Sequence, residues 1–250
     1  MSLPIALSLF TVRDDLLRDF DATLEQVALI GYEYVELAGL GEKTASQVKA
    51  LLDRLNLGVV STHVPFDHLQ GNLAPAIDTA AMLGYNIICC PYLPESLRTA
   101  EGYRQVRVSL LKTAQRLAEH DIKLAYHNHS FEFETLDDGS RGIDILHGDP
   151  DPLWHAELDV YWVCHGGDDP LTWMKKLAGR LPVLHLKDMT PGPDPTFTEL
   201  GAGVVEISAF VKAAPDCGVQ YLVVEQDANW VDGSAMRSVA VSLDYLKSLA

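Results

Sequence analysis

Short apolar runs alternate along this chain with longer amphipathic stretches, and the alternation continues from one end to the other. Eight runs have strand length and β-type composition: Ile5–Phe10, Tyr34–Leu37, Gly58–His63, Asn86–Cys90, Leu124–His129, Trp154–Val160, Pro182–Lys187 and Tyr221–Gln226. Between them lie stretches with helical periodicity, at Asp21–Ile30, Ala45–Leu55, Leu73–Leu83, Gly102–His120, Leu171–Leu177, Val204–Cys217 and Ala235–Leu249. Eight strands alternating with helices over 250 residues predict a single α/β domain, a (β/α)8 TIM barrel spanning residues 1–250. The competing doubly wound sheet usually carries a glycine-rich phosphate turn after its first strand. Here that turn is Phe10-Thr11-Val12-Arg13-Asp14, which has no glycine. The Pro/Gly-rich stretch Thr190–Pro195 follows the seventh strand and is expected to be an active-site loop rather than a domain boundary.

An apolar strand usually ends in a turn residue. Four strands here end instead in groups that can hold a cation or move a proton: Lys123–Glu134, His155–Trp162, Val183–Met189 and Tyr221–Asp227. Side chains two apart share a strand face, which pairs His127 with His129, Glu157 with Asp159, His185 with Lys187 and Glu225 with Asp227. In a barrel such groups converge at the carboxyl-terminal mouth, so Asp159, His185 and Glu225 are expected to meet there. Carboxylates with an imidazole suit Mn²⁺, Mg²⁺, Zn²⁺ or Co²⁺. The fourth ligand is expected from the fifth strand, with His127, His129, Glu132 and Glu134 as candidates.

Each candidate has a plainer explanation. An aspartate after a strand commonly caps a helix, although Val160-Tyr161-Trp162 are poor turn formers and weaken that reading for Asp159. A histidine on an apolar strand is commonly a hydrogen-bonded core residue, but Lys187 and Asp188 beside His185 make a core unusual. Glu225 follows Leu222-Val223-Val224, where an unpaired glutamate would be costly. His63 and Glu36 are further candidates for the pocket lining. Trp162, Phe10 and Phe66 are candidates for an apolar wall against a sugar face.

The net charge of −16 argues against nucleic acid, which requires a basic footprint. No segment is apolar enough to span a bilayer, and the N-terminus lacks the basic start of a signal peptide. The four cysteines include no CxxC pair, and adjacent Cys89 and Cys90 point to opposite strand faces. They read as reduced thiols of a cytoplasmic protein.

Taken in order, these segments resemble the sugar phosphate isomerase/epimerase family, the xylose-isomerase-like TIM barrels, over essentially the whole length. The resemblance rests on Phe10–Asp15, Tyr126-His127-Asn128-His129, Asp159–Trp162, His185-Leu186-Lys187-Asp188, Glu199-Leu200-Gly201-Ala202-Gly203 and Val224-Glu225-Gln226-Asp227. It implies a divalent metal ion held by Asp159, His185, Glu225 and a strand-five residue, gripping vicinal oxygens of a small sugar-like substrate. In the family's epimerases two glutamates, on strands five and eight, exchange the proton. Glu225 matches the second, whereas the strand-five end carries His127. Either His127 replaces that ligand, or Glu132 or Glu134 folds back from the following loop; the favoured arrangement is a loop glutamate as ligand, with His127 beside it as acid/base. Lys187 would polarise an oxygen, and His63, Glu36, His129 and Trp162 would contact substrate. The implied activity is isomerisation or epimerisation of a sugar, keto-sugar or polyol derivative. An inosose-type dehydratase is the alternative, and a non-catalytic sugar-binding protein a more distant one. Homo-oligomerisation stays open.

Overall fold

Period-two alternation within a closed sheet gives every strand one face toward the barrel axis and one toward the surrounding helices. The structure is a computed structural model and describes residues 3–249. Its barrel strands are β1 (Ile5–Ser8), β2 (Tyr34–Leu37), β3 (Gly58–His63), β4 (Ile87–Cys90), β5 (Lys123–His127), β6 (Trp154–Asp159) and β7 (Val183–Leu186). A small hairpin follows, formed by β8 (Asp188–Met189) and β9 (Phe197–Thr198), and then β10 (Tyr221–Val224) completes the barrel. All barrel neighbours are parallel, and β10 closes the ring against β1 with Ile5 opposite Leu222 and Leu7 opposite Val224. The predicted (β/α)8 architecture is thus the observed one.

The outward faces carry Leu7, Val35, Ile88, Leu124, Leu158, Leu184 and Leu222, which pack with helix residues such as Leu24, Leu52, Leu110 and Leu243. Burying each such side chain contributes roughly 1.5–3 kcal/mol, so this annular layer supplies most of the hydrophobic stabilisation. The inward faces hold a smaller apolar cluster of Ala6, Val60, Ile87, Cys89, Ala125, Val183 and Val223, against which Tyr34 and Tyr221 pack. Cys89 lies in the inner cluster and Cys90 in the outer one, as opposite-face placement requires. All four cysteines are free thiols. No helix among the described residues is long and apolar enough to cross a membrane.

Helix ends follow local chemistry. Phe20–Ile30 is capped by Asp19 and stops at Gly31, whose φ of 104° is readily adopted only without a side chain. Ala45–Leu55 starts with a capping box between Thr44 and Gln47. Several boundaries depart from expectation by one or more residues, three of them for a clear local reason. Strand β1 ends at Ser8 rather than Phe10, because the chain turns into a 3-10 segment at Leu9–Val12. Strand β6 ends at Asp159, whose carboxylate accepts a hydrogen bond from Trp162 N and caps a helix at Val160–His165. The helix expected over Val204–Cys217 narrows to Ile207–Ala213 followed by a 3-10 turn at Pro215–Cys217, since proline has no N–H to continue the ladder.

The Thr190–Pro195 stretch lies between β8 and β9. Its base is tied down by Asp188, whose Oδ1 accepts from Met189 N and Val205 N and whose Oδ2 accepts from Gly201 N and Gly203 N. A side chain at Gly203 would collide with that carboxylate. Glu199 accepts from Ser238 Oγ and Val231 N, fastening the same loop to the last helix. The glycines and glutamate of Glu199-Leu200-Gly201-Ala202-Gly203 are therefore loop anchors.

Candidate active site

Two residues above the apolar inner cluster, the same strand faces become polar. Ala125 is followed on its face by His127, Val183 by His185 and Val223 by Glu225, with Glu157 and Asp159 entering from β6. Four ligand-capable atoms, one each from His127, Asp159, His185 and Glu225, lie within 4.8 Å of one another, and all four residues are buried. His185 Nδ1 is 2.8 Å from Glu225 Oε2, and His127 Nε2 is 3.8 Å from Asp159 Oδ2. Asn128 sets the height of this pair: its amide accepts from Asp159 N at 3.0 Å, tying the end of β5 to the end of β6. The expected convergence of Asp159, His185 and Glu225 is what the geometry shows.

The fifth strand departs from expectation. Its contribution to the cluster is His127. Glu134 is exposed on the surface. Glu132 is buried, but the 3-10 turn Phe131–Phe133 directs it away from the cluster. There it accepts from Tyr126 Oη at 2.6 Å and from His129 N at 2.8 Å. Burial pushes its carboxyl up to about 8, with those two donors pulling the other way. The capping explanation of Asp159, discounted on its poor turn formers, is also correct: Oδ1 caps the helix while Oδ2 faces the cluster, buried and without a hydrogen bond.

Beneath these four lies a second tier. Glu157, fully buried, places Oε1 2.7 Å from His63 Nε2, 3.1 Å from His127 Nδ1 and 3.2 Å from His185 Nε2. Glu36 Oε1 is 3.2 Å from His63 Nε2 and 3.1 Å from His185 Nε2, and its Oε2 accepts from Ser61 Oγ. Burial alone would depress His63, but Glu36 and Glu157 outweigh it and lift the imidazole to about 9. The same two carboxylates lift His185 well above its usual range against its burial. Burial would raise Glu157, yet His185 and His63 hold it well below the carboxylate range.

On the outer side, Lys187 Nζ lies 3.1 Å from Asp159 Oδ2, 2.9 Å from Glu225 Oε2 and 3.0 Å from Asp227 Oδ2. Burial opposes its charge, but these carboxylates keep it an ammonium. Burial would raise Glu225 too, and Lys187 and His185 reverse that and keep it ionised. Burial lifts Asp227 above the usual carboxylate range despite Lys187. His129 is held neutral by burial and by neighbouring His127 and Lys187, and its Nδ1 has no hydrogen-bond partner.

This assembly floors a cavity of about 1100 Å³ whose lining includes Phe10, His63, His129, Lys187, Glu225 and Asp227. Glu36 stays in the tier below, one carboxylate oxygen facing imidazoles and the other accepting from Ser61. Trp162 stands beside His129, ring centroids 5.3 Å apart, with its indole N–H unpartnered. Phe66 is core and does not belong to the wall. Sequence reasoning paired Glu157 with Asp159 and Glu225 with Asp227 but gave neither Glu157 nor Asp227 a role. The available signal was an acid at an inward position of an otherwise apolar strand.

Barrel closure and a mouth of strand-end acids and imidazoles define the class as an α/β-barrel of enzyme type. The chain belongs to the xylose isomerase-like TIM barrel family, whose pattern matches residues 24–249. It is similar to a sugar phosphate isomerase/epimerase from Parabacteroides distasonis, with a TM-score of 0.84 and 22% identity over 99% of this chain and 94% of that one. A probable 3-DHS dehydratase from Bacillus anthracis superposes with a TM-score of 0.74 at 13% identity, covering 98% and 99% of the two chains. The protein IolI, solved with a bound zinc atom, superposes equally well at 14% identity, covering 100% and 98%. An inosose dehydratase of Clostridium botulinum is 22% identical over 69% of this chain. That match spans 64% of the dehydratase, less than two thirds of its length.

Proposed function

We propose that the protein is a divalent-metal-dependent enzyme that moves a proton next to the carbonyl of a sugar, keto-sugar or polyol derivative, as an isomerase or epimerase. The observation that carries this reading is the meeting of His127, Asp159, His185 and Glu225 beneath a cavity large enough for a sugar derivative. The donor set of two imidazoles and two carboxylates fits Mn²⁺, Mg²⁺, Zn²⁺ or Co²⁺. Asp159 Oδ2, buried and turned toward the other three donors with only the Lys187 ammonium beside it, supports that fit. When bound, such an ion supplies electrophilic stabilisation of negative charge developing on substrate oxygens. His127 takes the strand-five place in this set, replacing the loop glutamate expected from sequence.

Glu225, ionised and facing the cavity, is the base. The Lys187 ammonium donates a hydrogen bond to the oxygen that becomes negative. His129, which lines the cavity and has a free ring nitrogen, binds substrate hydroxyls together with His63, while Trp162 packs against His129 without lining the cavity. With a histidine at the strand-five position, the symmetric pair of glutamates needed for two-base epimerisation is missing. Proton movement by one carboxylate suits isomerisation, and it equally suits elimination of a β-hydroxyl. The dehydratases among the similar proteins favour that lyase reading as the alternative.

A screen across keto-sugars and inososes with Mn²⁺ present, run in D₂O, tests the chemistry. Wild type is expected to place deuterium at the carbon beside the carbonyl, and Glu225→Gln to abolish both exchange and turnover, since an amide cannot accept the proton. An isomerase conserves product mass apart from the label, whereas a dehydratase loses water. Turnover without label would point to a hydride shift and remove Glu225 from the role of base.

A further inference from the structure

Glu157 is the least accounted-for residue in the barrel. It is a fully buried carboxylate, it does not line the cavity, and it stands in register with apolar Val183 on the neighbouring strand. An isolated carboxylate at that depth is strongly disfavoured, so its position calls for partners. It has three, all imidazole nitrogens, and all on the same oxygen.

The nitrogens involved are informative. His127 presents Nδ1 to Glu157 and Nε2 toward Asp159, whereas His185 presents Nε2 to Glu157 and Glu36 and Nδ1 to Glu225. The two rings therefore turn opposite nitrogens inward and leave opposite nitrogens facing the mouth. A neutral imidazole carries one N–H, and a carboxylate accepting it fixes both tautomer and ring orientation. We infer that Glu157 is a positioning residue: its carboxylate accepts the Nδ1–H of His127 at 3.1 Å and fixes that tautomer, which leaves Nε2, the nitrogen facing Asp159, as a lone pair for a cation. His63 hydrogen-bonds the same Glu157 oxygen through Nε2, and His185 Nε2 stands 3.2 Å from it without a hydrogen bond, so His127 is the ring that Glu157 orients.

This inference rests on the metal reading above, and the experiment separates the two. Mn²⁺ alone is titrated calorimetrically into stripped wild type, Glu157→Gln, His63→Gln and Asp159→Asn. Asp159→Asn is expected to lose measurable binding, and if it binds like wild type the metal reading itself fails. Glu157→Gln is expected to bind about 10–100-fold more weakly, and His63→Gln within about threefold of wild type, because His63 Nε2 faces Glu157 and Glu36 rather than Asp159 and Glu225. Unchanged affinity in Glu157→Gln would overturn the inference. So would a loss in His63→Gln as large as that in Asp159→Asn, which would place the ion among His63, His127, Glu157 and His185 instead. A second measurement needs no variant: ring ¹⁵N shifts of the Zn²⁺-loaded wild type are expected to show His127 protonated at Nδ1. The reverse tautomer would also overturn it.

Discussion

The inside of this barrel is two regions built on the same strand faces. Lower down, Ala6, Ala125, Val183 and Val223 pack against one another with no polar partner to satisfy. One inward step higher, Ser8, His127, His185 and Glu225 occupy the same faces, joined by Glu36, Glu157 and Asp159. Both tiers are buried, so exposure does not separate them. What separates them is pairing: in the lower tier no group needs a counter-charge, and in the upper tier nearly every charged atom has one within hydrogen-bond reach. The upper tier is costly to build and useful because its groups are fixed, whereas the lower tier is tolerant of chemistry only if it stays apolar.

The largest test of this contrast is to place an upper-tier group in the lower tier. Val183→Asp adds a carboxylate in register with Glu157 and without a cation of its own, and is expected to cost roughly 3–5 kcal/mol or to prevent folding. Denaturant melts that match wild type would show the lower tier to be neither dry nor apolar in practice.

An effect spread over several pH units is expected at Glu132, which lies outside both tiers. Its carboxyl titrates near 4.5 in the unfolded chain and at about 8 in the folded one. Between those values the folded state holds a proton that the unfolded state has released. Stability therefore falls as pH rises through that window, by at most about 1.4 kcal/mol per pH unit, and levels off above it. Glu132→Gln cannot ionise and is expected to flatten that slope in melts taken from pH 5 to 8. An unchanged slope would assign it to other groups.

The smallest effect separates the two jobs of Asp159. Asparagine is a good helix cap and alanine a poor one, so Asp159→Ala is expected to be about 1 kcal/mol less stable than Asp159→Asn, with both deficient in metal. Equal stabilities would mean that the Val160–His165 helix does not depend on its cap.

These residues also show how much was legible in the chain. His127, Asp159, His185 and Glu225 could be found because two-residue alternation fixes which side chains share a face, and barrel closure fixes where those faces meet. Alternation stops at the end of a strand, and so did the reading. Glu132 and Glu134 were plausible ligands until the 3-10 turn at Phe131–Phe133 sent one beneath Tyr126 and the other to solvent. Asp159 as a cap was discounted because Val160-Tyr161-Trp162 seemed unable to turn, yet a buried helix begins there on tertiary packing. The role of Glu157 depends on imidazoles from β3, β5 and β7, which no local pattern connects.

The knot at Asp188 has a consequence for how this protein can change over generations. Four backbone donors close on one carboxylate at the foot of the Thr190–Pro195 segment, and a glycine at 203 keeps that space clear. Sequence drift, insertion or exchange beyond the foot is thereby insulated from Lys187, the neighbour of Asp188 and the nearest group of the mouth. The segment is a replaceable cassette on a fixed socket, and new rims can be tried by evolution or by grafting while the proton-moving groups stay where they are.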